Sequence, residues 1–232
     1  MYSILEHYLS TNHILMIGMI VTFILTFFLL EHPFSFLPSD QGRAFAVNGS
    51  LSKGKLRGVG FIFVLCFLIS SVLFLPIDVE YVIYAILLFA MMISGYLDDA
   101  SKTPWNEYKK GLIDLVISIV AVLTYMNFNS TTICFGADEI VIPKALFLIL
   151  GVILIWVSVN VTNCTDGVDG LCASLCSVTL LAFGVLFAPI LQKYAMANFL
   201  FLSVLFAYLY FNSSPSSMLM GDAGSRALGF YI

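Results

Sequence analysis

Long apolar blocks separated by short polar stretches set the pattern of this chain. Residues 13–30, 59–76, 81–97, 111–128, 144–161, 170–188 and 196–211 each run close to a membrane-crossing length with few charges, and an eighth block begins near Ser225. About 18 or more apolar residues in succession read as a helix that crosses the hydrocarbon of a bilayer. The pattern predicts an all-α fold: a polytopic transmembrane helical bundle with seven spans plus the start of an eighth, residues 1–232 forming a single integral membrane domain. Glu6 and His7 precede the first block without Lys or Arg, and no small-residue cleavage site follows it. That block therefore reads as an anchored span, not as a removable signal peptide.

Composition sharpens this picture. Of 232 residues, 60% are hydrophobic and 10% charged, against about 25% charged in an ordinary soluble domain. Orientation follows from Lys and Arg in alternate loops. Arg43, Lys53, Lys55, Arg57, Lys102, Lys109, Lys110 and Arg226 fall on one side, Lys144 and Lys193 on the other. The first side is expected to face the cytoplasm, with the N-terminus outside. The net charge of −4 adds nothing to this asymmetry, and with no basic domain a nucleic-acid partner is not expected. The five cysteines, Cys66, Cys134, Cys164, Cys172 and Cys176, form no CxxC pair, and no His lies near Cys172 and Cys176 to complete a metal set. They are expected to be small buried hydrophobes.

The two sets of loops differ in kind. The outer connections, 77–80, 129–143 and 190–195, carry few groups that do chemistry, whereas the inner segments 31–58, 98–110, 162–169 and 212–224 collect most charges and glycines. All four inner segments can converge on one face. Transport through the bundle would call for ionisable groups near mid-membrane. Asp114 is the only acidic residue within a predicted span, one turn from an inner end.

Four constellations stand out on that face. In Gly95-Tyr96-Leu97-Asp98-Asp99 two adjacent carboxylates repel at a membrane boundary, and a cation holds both ionised. Mg²⁺ suits such oxygens together with substrate phosphates; helix capping is the plainer alternative. The turn from Asn160 through Asn163, Asp166, Gly167 and Asp169 to Leu171 holds more polar groups than a tight turn requires. Glycines there permit close backbone approach, and the amides and carboxylates can bind a metal, ribose hydroxyls or base edges. Asn212 and Pro215 are followed by Met220-Gly221-Asp222-Ala223-Gly224-Ser225, in which Asp222 is a candidate metal ligand. The basic residues of the first two inner loops, besides marking topology, suit anionic lipid phosphates and nucleotide diphosphates.

Together these pieces resemble the polyprenyl-phosphate phosphohexosamine transferases of glycosyltransferase family 4, and within them the phospho-N-acetylmuramoyl-pentapeptide transferases. The matching residues are Gly95 to Asp99 with Lys102, Lys110-Gly111-Leu112, Asn160 to Leu171, and Phe211-Asn212 through Ser225. The resemblance implies an Mg²⁺-dependent enzyme at the cytoplasmic face of the bacterial inner membrane. It would move phospho-MurNAc-pentapeptide from its UDP-linked form to undecaprenyl phosphate, giving lipid I and UMP for peptidoglycan. It implies that Asp98 and Asp99 serve catalysis and activation of the lipid phosphate, that Asp222 holds magnesium, and that Asp166, Gly167, Asp169 and Asn212 surround the nucleotide. Lys102 would lie near the phosphates, with Lys110, Asn160 and Asn163 in the substrate-binding set. Undecaprenyl phosphate, a UDP-linked aminosugar nucleotide and membrane lipids are the implied partners, and the family suggests a homodimer. Members have about ten spans, so the chain is expected to be the N-terminal two thirds of a longer protein. The first inner loop departs from the family's threonine- and proline-containing string, and Leu219 stands where an aromatic is common. A phospho-N-acetylglucosamine transferase for teichoic acid or surface polysaccharide stays open, as do an inactive lipid-binding homologue and, more distantly, a cation-coupled transporter.

Overall fold

A computed structural model describes residues 1–32, 34–40, 42, 52–135 and 138–232. Arg43, one of the basic residues counted above, lies outside the described residues. The chain is a helical membrane protein: α1 (Tyr2–Leu5), α2 (Thr11–Glu31), α3 (Gly60–Phe74), α4 (Val79–Asp99), α5 (Glu107–Phe128), α6 (Lys144–Thr165), α7 (Leu171–Phe187), α8 (Gln192–Asn212) and α9 (Gly221–Tyr231). Five of these, α2, α4, α5, α6 and α8, are long and apolar enough to cross a membrane.

Two blocks give shorter helices than their apolar lengths predict. α3 has 15 residues because Leu75 turns extended ahead of Pro76, whose ring disfavours helical backbone before it. α7 has 17 because Gly170 adopts a left-handed φ of 75° and sets a new chain direction before Leu171. The all-α expectation also needs amending in the outer connection 129–143. There β1 (Thr132–Phe135) and β2 (Asp138–Val141) pair antiparallel, Ile133 opposite Ile140 and Thr132 opposite Val141. These β-branched positions favour a pleated pair over a loop.

The core forms around α8, which is apolar on every side and mostly buried, as a central helix should be. Phe201 stacks on Phe67 of α3 with centroids 4.2 Å apart, and Tyr208 packs on Phe63 at 5.1 Å. α2 and α7 flank α8, while α9 packs on α3, α4 and α6. Two glycines permit the closest of these approaches: a Cβ at Gly60 would sit 2.1 Å from Gly224 N, and one at Gly95 2.3 Å from the Asp222 carbonyl oxygen. α6 exposes Leu150, Ile153, Leu154 and Val157, an apolar face that the other described helices leave uncovered. Cys66, Cys172 and Cys176 are buried as expected, but Cys164 is exposed because it sits in the last turn of α6.

Candidate active site

The four inner segments do meet at one end of the bundle. α4 delivers Asp98 and Asp99 in its last turn, α5 delivers Lys110 in its first, α6 delivers Asn163 in its last, and α9 delivers Asp222 in its first. A strap from the first inner segment completes the set with Asp40, Lys55 and Arg57. Leu56 forms single bridges to Ser39 on one side and Met218 on the other, which lays the strap beside the start of α9.

The adjacent carboxylates of α4 have separate tasks. Asp99 has no exposed side-chain area. Its Oδ1 accepts from Asp222 N at 3.1 Å and from Arg57 Nε at 2.8 Å, and its Oδ2 accepts from Ala223 N at 3.0 Å. Those backbone groups are the unsatisfied donors of a helix start, so Asp99 caps α9 from a different helix. Asp98 turns toward α5 instead. Its Oδ2 lies 2.7 Å from Lys110 Nζ, and its Oδ1 accepts from Trp105 N at 2.6 Å.

Asp222 lies between the cations. Its Oδ2 is 3.1 Å from Lys110 Nζ and 3.4 Å from Asn163 Nδ2, and its Oδ1 is 3.4 Å from Arg57 Nη2. Lys110 Nζ thus bridges Asp98 and Asp222. Arg57 also reaches Asp40 Oδ1 at 3.4 Å. Burial opposes its charge, but Asp99, Asp222 and Asp40 together hold its pKa above the ordinary value. Four buried carboxylates, Asp40, Asp98, Asp99 and Asp222, face two cations, which leaves an excess of negative charge. Two carboxylate oxygens converging on one cation position, with that excess, are a donor set that suits a hard divalent ion. Among the described residues no cluster of three or more His, Cys, Asp or Glu forms a metal cage, so any such ion would take its remaining ligands from water or substrate.

Other predicted residues take supporting places. Asp169 Oδ2 accepts from Ser216 N at 3.0 Å and lies 3.9 Å from Lys55 Nζ, which donates to Ser216 Oγ at 2.8 Å. Buried Asn212 accepts from Gly170 N at 3.0 Å and donates to the Met218 carbonyl at 2.9 Å, pinning two inner turns together. Asp166 ends α6, and Gly167 is exposed, a Cβ there meeting the Cys164 carbonyl oxygen at 3.9 Å. Asn160 and Lys102 are not drawn into the centre. Asn160 donates to the Trp156 carbonyl of its own helix, and Lys102 is exposed with no ion pair to a described residue. Leu219 is buried, its amide donating to the Leu56 carbonyl.

Arg57 and Asp40 join the centre although neither was singled out as a site residue. Arg57 carried one signal, its place in a basic loop. Asp40 carried none, since only the fold brings that segment over α9.

Residues 81–232 match the sequence pattern described as Glycosyl transferase family 4. The chain is 34% identical over 238 residues to the phospho-N-acetylmuramoyl-pentapeptide-transferase of Treponema pallidum (strain Nichols), covering 93% of this chain and 66% of that relative. It is 27% identical over 225 residues to the enzyme of that name from Dictyoglomus turgidum, covering 95% and 73%. A third, from Microcystis aeruginosa, is 32% identical over 184 residues, covering 73% and 50%. The chain thus spans just under two thirds of the Treponema relative's length. The family match takes in α4 to α9 and every group of the centre except the strap residues, and on that ground the chain belongs to glycosyl transferase family 4.

Proposed function

We propose that the chain carries the phosphate-handling centre of a phospho-N-acetylmuramoyl-pentapeptide transferase. Its reaction would move phospho-MurNAc-pentapeptide from the uridine nucleotide to undecaprenyl phosphate, giving lipid I and UMP. The observation that carries this reading is the convergence of Asp98, Asp222, Lys110, Arg57 and Asn163 at one end of an apolar bundle. The names of the relatives supply the transferred group, phospho-N-acetylmuramoyl-pentapeptide, and the resemblance of the inner strings to the family supplies the uridine nucleotide and the polyprenyl-phosphate acceptor. A phosphate oxygen of the lipid attacks the β-phosphorus of the nucleotide. That bond forms as the one from the β-phosphorus to the bridging oxygen breaks, and UMP leaves with the electron pair. The work is positioning and charge compensation.

Lys110 and Arg57 hold anionic oxygens at the reacting phosphorus. Asp98, fixed by Trp105 N–H and Lys110, orients the attacking phosphate and takes its proton where one is present. Asp99 holds α9 in place, and Asp169, Asn212 and Lys55 shape the nucleotide side. Magnesium bound through Asp222, with Asp98 beside it, would offset pyrophosphate charge. α2 to α8 make seven crossings, α3 and α7 being the short ones, and α9 starts an eighth within one integral membrane domain. The Lys and Arg asymmetry supports a cytoplasmic centre in the bacterial inner membrane with the N-terminus outside. Membrane lipids surround this domain, and the resemblance suggests a homodimer.

The test supplies the protein from its complete reading frame, in detergent, with undecaprenyl phosphate, Mg²⁺ and either UDP-MurNAc-pentapeptide or UDP-N-acetylglucosamine. UMP release from the muramoyl donor alone, lost in Asp222→Asn, is expected. Release from the other donor alone would move the assignment to the teichoic acid or polysaccharide branch. Release from neither, by folded protein, would sink both.

A further inference from the structure

Two ion pairs join α5 to α9. Lys110 lies 3.1 Å from Asp222, and Arg226 Nη2 donates to Asp114 Oδ1. Lys110 and Asp114 are four residues apart on α5, and Asp222 and Arg226 four apart on α9. Each spacing is one helical turn, about 6 Å of rise. The order of charge is reversed between the helices: cation then anion on α5, anion then cation on α9. Sliding α9 by one turn would set Lys110 against Arg226, or Asp114 against Asp222. Like charges in so dry an interior repel strongly, so the two pairs together admit one register. A single buried polar position fixes register in coiled coils by the same logic.

The outer pair takes no direct part in the chemistry. Asp114 is 2% exposed and Arg226 1%, out of reach of any substrate. Nor is it a good stabiliser, because Arg226 Nε and Nη1 find no hydrogen-bond partner among the described residues. Buried pairs of this kind are often replaced by apolar residues without loss of stability. α9 already packs on α3, α4 and α6, and Asp99 ties its first turn to α4. α5 is not among those packing partners, and the two ion pairs tie α9 to it directly. We infer that Asp114 and Arg226 are a positioning pair that fixes α9 against α5 so that Asp222 stays opposite Lys110. The inference rests on the assignment of Lys110 and Asp222 to the reacting centre proposed above.

The test compares Asp114→Asn, Arg226→Leu, the double variant and Arg226→Lys in the protein expressed from its complete reading frame, by thermal unfolding and by UMP release. Each of the two single neutral variants strands a buried charge and should lower Tm by about 10 °C. The double variant should regain most of that Tm. Its kcat should nonetheless fall about 10-fold or more with donor KM within about 2-fold, while Arg226→Lys keeps kcat within about 3-fold. A double variant with wild-type kcat, or one whose loss follows only the unfolded fraction, overturns the inference. Should the double variant not fold, Asp114→Glu replaces it, its longer carboxylate expected to shift α9 and lower kcat about 10-fold; wild-type kcat there overturns the inference too. A cycle crossing Asp222→Asn with the outer-pair variants gives a readout without turnover. Non-additive Tm shifts support coupling between the pairs, additive ones refute it, and either result stands even if the wild type releases no UMP and the transferase reading fails.

Discussion

Replacing Asp99 by Asn changes neither size nor shape, yet it should unfold the site from within. The wild-type carboxylate accepts from three donors: Arg57 Nε at 2.8 Å, Asp222 N at 3.1 Å and Ala223 N at 3.0 Å. An amide offers one acceptor oxygen, so in either orientation its NH₂ faces at least one of these donors. Loss of a helix cap costs about 1–2 kcal/mol, and a hydrogen bond to a charged group is worth about 1.5–3 kcal/mol. The Arg57 side chain is 31% exposed, which favours the lower part of that range. The expected loss is about 3 kcal/mol, or roughly 10 °C in Tm for a chain of this size. Thermal unfolding in detergent, followed by intrinsic fluorescence, measures it. A Tm within about 2 °C of wild type, with UMP release abolished, would refute the capping role and return Asp99 to the chemistry alone.

Other substitutions separate the remaining roles. Lys110→Met removes the ammonium that bridges Asp98 and Asp222 and should lower kcat about 100-fold or more; a loss under about 5-fold in steady-state UMP release would count against it. Lys102→Ala should leave kcat/KM within about 3-fold, because the residue is exposed without an ion pair to a described group; a larger loss would show that substrate reaches it. Gly95→Ala places a Cβ 2.3 Å from the Asp222 carbonyl oxygen and should cost about 2 kcal/mol or more by forcing α9 off α4. Unchanged Tm in that variant would mean the two helices are less closely held than described.

Much of this was legible from the chain because a bilayer imposes a simple rule: apolar runs cross, and charged residues gather at the ends. Asp98, Asp99, Lys110, Asn163 and Asp222 were found through that rule and through their local strings, and they meet as expected. Capping by Asp99 was not legible, since the helix it caps begins 122 residues later, at Gly221. The same holds for Asp40 and Arg57, whose partners belong to other segments. Asn160 bonds within its own helix and Lys102 stands exposed, outside the contacts that join the centre, because a short motif fixes sequence neighbours and not which of them those contacts take in. The outer hairpin escaped notice beside the stronger helical pattern. The Asp114 and Arg226 pair was visible only as two isolated charges, its opposed spacing meaningless until the fold brought the two side chains together.

The central claim is that Asp98 acts in the chemistry while Asp99 holds the frame, and single-turnover formation of lipid I tests it most directly. Enzyme in excess is mixed with undecaprenyl phosphate, Mg²⁺ and UDP-MurNAc-pentapeptide, and lipid I is followed by mass spectrometry. The prediction is that the wild type forms lipid I and that Asp98→Asn forms it about 100-fold or more slowly, with a smaller loss of Tm than Asp99→Asn because Lys110 keeps its pairing with Asp222. Lipid I formed by Asp98→Asn at the wild-type rate, or none formed by the folded wild type, would contradict it.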